Sequence, residues 1–150
     1  MNHDLILEAE DVHRLNVILT QLIDKSRVDC ALLINKSGRL LTSQAESGDL
    51  DKTAFAALVV GSFVSSTMIA NMIGESEFAS MYHQGQKKHS FIAQVDNNTI
   101  ITILFDNRTT LDKVKTYSKK YNIELAKVLR DSYDRVSNSP YINLNVAPEA

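Results

Sequence analysis

The sequence predicts one α/β domain in which helices enclose an antiparallel sheet of five strands. Three observations support this prediction. Apolar residues recur at helical spacing in long segments, short runs rich in β-branched and aromatic residues form strands, and turn residues join those runs into a hairpin and a three-strand meander. At 150 residues with 44% hydrophobic content, the chain has the size of one domain with a single core. The predicted order is α-β-β-α-β-β-β-α.

The first helix is predicted over residues 4–25, because five apolar residues share one helical face: Leu5, Val12, Leu15, Leu19 and Leu22. Acidic residues crowd its start and Lys25 closes its end, which complements the helix dipole. The hairpin follows over residues 28–45, where NKSG separates VDCALLI from RLLTSQA. These segments supply the first helix and the first two strands.

The meander is predicted over residues 78–105, where the turn-rich stretches GQKK and DNN separate three apolar runs. The last helix is predicted after Arg108 and continues to residue 136. Its apolar face is formed by Leu111, Val114, Tyr121, Leu125 and Val128.

The middle helix, predicted over residues 53–74, contains no charged residue. Asp49 or Asp51 can cap its start, and Gly74 can end it. Its serine, threonine and asparagine side chains and the missing basic flanks argue against a membrane span. One face is predicted to pack on the sheet: Phe55, Leu58, Ser62, Ile69 and Ile73.

The rest of this helix is also largely apolar, and Gly61 leaves room for another backbone. A helix that is apolar nearly all round is hard to bury in so small a domain. The sequence therefore predicts a homodimer or a docking face. Cover by the first helix and the C-terminal segment is the alternative.

Composition excludes several function classes. The net charge is −2 and the pI about 6.1, so no strong overall field favours nucleic acid or an anionic membrane surface. The one cysteine, Cys30, lies in an apolar strand and is predicted to be an inert core thiol. The N-terminal stretch lacks the pattern of a signal peptide, which predicts a cytoplasmic protein without direct membrane insertion.

The chain also lacks the motifs of cofactor chemistry. No P-loop, dinucleotide-binding or nucleophile-elbow pattern occurs, and the histidines His3, His13, His83 and His89 have no metal-ligand spacing. The histidines are predicted to be solvated or at hairpin edges, and Lys87, Lys88 and His89 to form a solvated turn. No cofactor, metal or catalytic residue is predicted.

Arg108 lies between the last strand and the last helix and permits two interpretations. Thr109 or Thr110 can cap the helix, and the arginine can pair with Asp106, which makes Asp106, Arg108 and Thr110 a structural corner. The alternative is an arginine finger that enters the active site of a GTPase. The corner is the commoner role for such a turn.

The element order resembles the roadblock (dynein light chain) family. The stretches LLINKSGRLLTSQ, MIGESEF with YHQG, and ILFDNRTTLDKVK are similar to the bacterial MglB-type GTPase-activating proteins of that family. The resemblance covers about residues 5 to 135. It gives a roadblock domain over residues 1–136, followed by a flexible C-terminal tail over residues 137–150.

The resemblance implies a homodimer with a continuous sheet, paired through the middle helix and the third strand. The implied dimer interface comprises Val59, Phe63, Ala70, Phe78 and Met81. The implied partner is an MglA-like GTPase of the Ras family, and its binding face comprises Gly61, Val64, Ser65, Met68, Asn71 and Met72. In the family this face is often rich in alanine and glycine, so the bulkier Val64 and Met68 depart from the pattern and fit a different GTPase better than the standard partner.

MglB-type proteins contribute no arginine finger and reposition the catalytic residues of the GTPase itself. The resemblance therefore implies a GTPase activator that controls cell polarity or motility, acting in the cytoplasm or at a cell pole. A roadblock scaffold that binds a GTPase or a motor complex without accelerating hydrolysis is the alternative. A metabolic enzyme is a third hypothesis, which the missing site constellations disfavour. The tail residues Pro140, Tyr141 and Ile142 either dock on the GTPase or stay disordered.

Overall fold

A computed structural model describes residues 7–137, and it has the predicted order of helices and strands. The elements are α1 (Ala9–Ser26), β1 (Cys30–Asn35), β2 (Leu40–Gln44), α2 (Lys52–Met72), β3 (Ser80–Gln84), β4 (Lys88–Gln94), β5 (Thr99–Asp106) and α3 (Leu111–Ser137). The predicted α/β class with a five-stranded antiparallel sheet is confirmed.

The sheet has the strand order β2-β1-β5-β4-β3, and each neighbouring pair is antiparallel. The predicted hairpin is the pair β1 and β2, with an irregularity between Leu33 and Ile34. The predicted meander is the run β3, β4 and β5. Since β5 returns to pair with β1, the two edges of this sheet are β2 and β3.

Two layers of helices cover the sheet because its strands alternate their side chains between the faces. On one face Ile101, Ile103 and Phe105 join the cluster formed with α1 and α3. On the other, Ile92 and Ile100 pack with α2. The sheet is therefore enclosed between α1 and α3 on one side and α2 alone on the other.

Local sequence signals explain the ends of α1. Glu8 and Asp11 form a capping box at its start, and Arg27 ends it in the left-handed conformation. The predicted apolar face is confirmed at Leu15, Leu19 and Leu22, which are fully buried. Leu5 and the predicted start of this helix lie outside the described residues.

The ends of α2 lie close to those predicted. The carboxylate of Asp51 accepts a hydrogen bond from the Ala54 N–H at 3.1 Å, which selects Asp51 over Asp49 as the cap. After Ile73 the chain turns at Gly74, whose φ of +91° suits glycine. The Glu75 N–H donates back to the Ala70 carbonyl at 2.9 Å, which closes the helix.

The predicted sheet-facing side of α2 is confirmed at Phe55, which is partly buried against the sheet cluster, but it is wrong at its other apolar residues. Leu58, Ile69 and Ile73 are 74%, 56% and 68% exposed, and the side that packs on the sheet is a different one. It comprises Ala56, Val59, Val60, Phe63 and Ala70. Because α2 is apolar almost all round, its periodicity does not distinguish the two sides.

The last helix, α3, has the predicted buried stripe, with Val114, Tyr121, Leu125 and Val128 in the core. It continues to Ser137, where the predicted tail begins. The rest of that tail, with Pro140, Tyr141 and Ile142, lies outside the described residues. The predicted domain boundary and the role of the tail stay predictions.

Candidate functional site

The side of α2 that faces away from the sheet is uncharged and solvent-exposed. Met68 and Met72 are 65% and 87% exposed, and Val64 is half exposed. We define the α2 outer face by its members: Leu58, Gly61, Val64, Ser65, Met68, Ile69 and Met72. So many exposed apolar side chains on one helix mark an interaction surface.

Gly61 makes the middle of the α2 outer face flat. A Cβ atom added to this residue would meet no atom from another part of the described chain within 4 Å, so packing within the domain does not require glycine there. A glycine inside a helix costs about 1 kcal/mol relative to alanine. Close approach of a second molecule would explain that cost, with Ser65 one turn further along the helix.

Within the described part of the chain, α2 is the one helix whose length and apolar composition would also fit a membrane span. Core helices of soluble proteins can have the same length and composition. In this fold one side of α2 is buried against the sheet. The exposed apolar residues form a stripe on the opposite side rather than a complete cylinder.

All six residues of the predicted partner-binding face are exposed on α2: Gly61, Val64, Ser65, Met68, Asn71 and Met72. Asn71 also has a local role. With its amide nitrogen directed at the loop, it donates to the carbonyl oxygens of Glu75 and Ser76 at 2.9 and 3.0 Å. Whether these residues bind a partner stays a prediction.

Three residues of the predicted dimer interface are buried within the chain itself. Val59, Phe63 and Ala70 are 6%, 4% and 0% exposed, because they form the side of α2 that packs on the sheet. The ammonium group of Lys36 lies 5.1 Å from the centre of the Phe63 ring. Within one chain their side chains are thus covered by the sheet, and their part in an interface with a second copy stays a prediction.

The other two residues of the predicted interface, Phe78 and Met81, are half-buried beside the β3 edge. Met81 packs partly against the core below α2. The backbone of β3 has no second neighbouring strand in this sheet. A free strand edge is a template for pairing with another chain, so the β3 edge is available for a continuous sheet.

Arg108 lies in a cluster of four charged side chains where three strands meet α3. Its Nε donates to both carboxylate oxygens of Asp106, at 2.9 and 3.0 Å, and its guanidinium also pairs with Asp29. Lys88 Nζ donates to the second oxygen of Asp29 at 2.7 Å. Since Asp29 precedes β1, Lys88 begins β4 and Asp106 ends β5, the cluster ties these three strands together.

The electrostatics of the cluster agree with this geometry. Hydrogen bonds from the Arg108 side chain and backbone lower the pKa of Asp106, and the pairing with Asp106 and Asp29 raises the pKa of Arg108. Thr110 caps α3, since its hydroxyl accepts from the Lys113 N–H at 3.3 Å. To act as an arginine finger, Arg108 would have to leave two carboxylates.

His89 has a structural role that sequence patterns missed. Of the two predicted settings, the hairpin edge is confirmed, since His89 lies in β4 opposite Gln84, but the solvated side chain is wrong, because His89 is 7% exposed beside Phe105. Its Nδ1 accepts a hydrogen bond from the Gly85 N–H at 3.2 Å, so its Nε2 carries the proton and donates to Asn107 Oδ1 at 2.7 Å. These two hydrogen bonds join the β3–β4 turn to the corner. The rings of Tyr82, His89 and Phe105 also pack together, and this contact could not be predicted from the sequence because it forms only when the strands pair.

The remaining candidates carry no site chemistry. Cys30 is fully buried, and burial raises the pKa of its thiol, as expected for an inert core cysteine. Within residues 7–137 no group of three or more histidine, cysteine, aspartate or glutamate side chains is placed to hold a metal ion. The candidate functional site is therefore the α2 outer face with the adjoining β3 edge.

The sequence around this surface matches a known protein family. The profile of the Roadblock/LC7 domain family matches residues 15–105, more than half of the chain. The chain belongs to the roadblock family. Its α2 outer face and β3 edge are thus features of a roadblock domain. No match to this roadblock protein was found among curated proteins.

Solved structures similar to this roadblock protein include three of MglB. An MglB with a tetrameric arrangement has a TM-score of 0.83 and 21% identity, covering 88% of this chain and 99% of that one. The gliding protein MglB from Thermus thermophilus has a TM-score of 0.81 and 22% sequence identity, and the match covers 87% of this chain and 99% of that one. MglB from Myxococcus xanthus has a TM-score of 0.79 and 28% sequence identity, and the match covers 85% of this chain and 96% of that one. The roadblock fold thus extends over nearly the whole described chain.

Proposed function

We propose that this roadblock protein is an MglB-type activator of a Ras-family GTPase of the MglA type, and that it acts as a homodimer. The observation that carries the proposal is the α2 outer face, an uncharged helix side with Met68 and Met72 largely exposed. Such a face needs a partner. The likeness to MglB structures, with 28% identity to that of Myxococcus xanthus, supports a GTPase as that partner.

In this proposal two copies pair through their β3 edges and place their α2 helices side by side. The two α2 outer faces then form a platform that receives one GTPase. Gly61 and Ser65 allow close approach, while the bulkier Val64 and Met68 select a GTPase with a complementary surface. The proposed setting is the control of cell polarity or motility from the cytoplasm or a cell pole, because one MglB neighbour is described as a gliding protein.

The proposed mechanism uses no arginine finger. Arg108 is held by Asp106 and Asp29 on the opposite end of β5 from the β4–β5 turn, and it supports the corner instead. The activator then accelerates hydrolysis by binding the GTPase conformation in which its own residues stabilise the charge that develops on the phosphate. This protein would supply no catalytic side chain.

The proposal is tested by loading an MglA-type GTPase with GTP and following phosphate release while this protein is titrated. We expect acceleration that saturates near two chains per GTPase. Binding without acceleration would contradict the activator and establish the roadblock scaffold in its place. Absence of both binding and acceleration would remove this GTPase class as the partner.

The binding face is tested by Met68→Arg, with Ile123→Arg as a matched control. Both substitutions place a positive charge on an exposed apolar site, 65% exposed on α2 and 71% exposed on α3. Burying an unpaired charge at an interface is strongly unfavourable, so Met68→Arg should weaken GTPase binding at least about tenfold by titration calorimetry. Ile123→Arg should leave it unchanged. Equal affinities for both variants would reject the α2 outer face as the GTPase site, and light scattering shows whether either variant alters the dimer.

A further inference from the structure

The outward side of α3 is a second surface, which the proposed function does not use. Between residues 111 and 130, α3 carries six positive side chains against the negative Asp112 and Glu124, a net charge of +4 in a chain of net charge −2. All six are exposed: Lys113, Lys115, Lys119, Lys120, Lys127 and Arg130. Positive charge is thus concentrated on one helix of an acidic protein.

An exposed isoleucine lies at the centre of this charge. Ile123 is 71% exposed. The residues three and four before it, and four and seven after it, share its side of the helix. We define the α3 basic face by these residues: Lys119, Lys120, Ile123, Lys127 and Arg130. The face thus has an exposed apolar side chain with positive side chains before and after it along the helix, and the exposed Glu124 and Asp134 border it.

In the part of the chain that the structure describes, the positive side chains of this face lack an acidic partner. Within residues 7–137, none of the six forms an ion pair, whereas Arg14, Arg108 and Arg135 all do. The ammonium group of Lys120 lies 5.4 Å from the centre of the Tyr121 ring. Asp131 borders the face, but Arg14 holds it at 3.5 Å. The charge is therefore available to an external anion.

We propose that the α3 basic face binds the surface of an anionic phospholipid membrane. Clusters of four to eight positive residues on a helix attract anionic headgroups at about 1 kcal/mol per residue, and an apolar side chain among them can enter the headgroup region. Five of the six positive residues are lysines. Lysine is depleted from protein interfaces, where arginine pairs with carboxylates, so a lipid surface fits this face better than an acidic protein.

The placement of α3 leaves the other surface free. The α3 helix packs with α1 on one face of the sheet, and α2 packs on the opposite face. A protein bound to a membrane through the α3 basic face therefore directs its α2 outer face away from the lipid. Membrane binding through α3 is thus compatible with any partner on α2.

Sedimentation with lipid vesicles tests this proposal on the full chain. The two vesicle types are pure phosphatidylcholine and phosphatidylcholine containing one third phosphatidylglycerol. We expect the protein to sediment with the anionic vesicles only, and less so at high salt because the attraction is screened. Failure to sediment with anionic vesicles at low salt would overturn the proposal, and binding to both types equally would do the same.

Two variants with the same change in net charge locate the binding surface. Lys119→Gln with Lys127→Gln removes two positive charges from the α3 basic face, and Lys87→Glu changes the charge equally in the exposed β3–β4 turn. We expect the first to weaken binding to anionic vesicles about thirtyfold and the second to have little effect. Equal losses in both would show that net charge acts alone and would overturn the assigned face.

The apolar centre has its own test. Ile123→Ser should weaken binding to anionic vesicles about tenfold, because the isoleucine no longer enters the headgroup region. Circular dichroism melts should match those of the parent, since all substituted side chains are exposed. Unchanged binding by Ile123→Ser would contradict insertion of this residue.

Discussion

At the scale of single residues, Arg108 shows how an exposed side chain can still be fully engaged. Its side chain is 69% exposed, yet its guanidinium contacts two carboxylates, one of which is 79 residues away in the sequence. An exposed ion pair is usually weak, but a planar guanidinium that bridges two carboxylates is a more favourable geometry. Arg108 is thus equipped to hold β1, β5 and α3 together.

We predict that Arg108→Ala lowers the melting temperature by a few degrees, because Asp29 and Asp106 lose a shared partner. Arg108→Lys should recover only part of the loss, since an ammonium group cannot donate to two carboxylates in the same planar geometry. Thermal melts monitored by circular dichroism measure both changes. A variant that melts like the parent but fails to accelerate GTP hydrolysis would instead assign Arg108 to catalysis.

For single residues, sequence patterns predicted the local contacts of the corner but not its contacts between distant strands. Asp106 and Thr110 are neighbours of Arg108 in sequence, so a local corner could be predicted from turn and capping rules. Asp29 and Lys88 come from distant strands, and no local rule brings them to the corner. The burial of His89 escaped prediction for the same reason, since its partners Gly85 and Asn107 meet only when β4 pairs with its neighbours.

At the scale of elements, α1 and α3 are joined by a buried carboxylate. Asp11 is 2% exposed and accepts hydrogen bonds from Arg135 and, at 3.4 Å, from Ser132. Its second role is in the capping box, where it accepts from the Glu8 N–H at 3.1 Å. Asp11 therefore couples the start of α1 to the last turns of α3.

This contact predicts a pH dependence of stability. Burial raises the pKa of Asp11, but the hydrogen bonds from Arg135 and Glu8 outweigh it, and the pKa lies below its usual 3.8. The native state then binds fewer protons than the unfolded state, so the contribution of Asp11 is complete above the ordinary pKa and is lost as pH falls below it.

Asp11→Asn should accordingly lower the free energy of unfolding by about 1–2 kcal/mol at neutral pH. The loss is smaller than for a fully buried pair because the Arg135 side chain is 42% exposed. The difference between parent and variant should shrink as the pH is lowered from 5 to about 3. Urea unfolding across this range measures it, and a difference that stays constant would show that Asp11 does not titrate with a lowered pKa.

The exposed apolar surface of α2 could be predicted from the sequence, but the side that packs on the sheet could not. The absence of charge over residues 53–74 predicted a helix with more apolar surface than one domain can cover, and the exposed Met68 and Met72 agree with that. Which side faces the sheet could not be predicted. Both sides are apolar, so the choice depends on how Val59 and Phe63 fit the sheet surface, which is a matter of packing rather than of periodicity.

At the scale of the whole molecule, the fold presents different chemistry on its two sides. The α2 outer face is uncharged and apolar, while the α3 basic face carries most of the exposed positive charge of that helix. A net charge of −2 hides this asymmetry, since whole-chain composition averages over both sides. Composition could thus exclude a uniform field but could not locate a local one.

The β3 edge leads to a prediction about assembly. Gly85 N–H donates to the Lys88 carbonyl and Gln94 N–H to the Ala79 carbonyl, so the odd-numbered residues between them turn their backbone groups towards β4. The even-numbered Ser80, and with it residues 82 and 84, therefore point their N–H and C=O groups outward. A second copy that extends the sheet must bond to these groups.

We predict that Ser80→Pro folds like the parent but weakens dimerisation, because proline removes an outward N–H without removing a bond to β4. Proline is tolerated at the first residue of an edge strand. Ser80→Ala is the matched control, since it removes the exposed side chain but keeps the N–H. Analytical ultracentrifugation over a range of concentrations measures the dissociation constant, which should rise at least about fivefold for the proline variant alone. An unchanged constant would place the dimer interface away from the β3 edge and would contradict a continuous sheet.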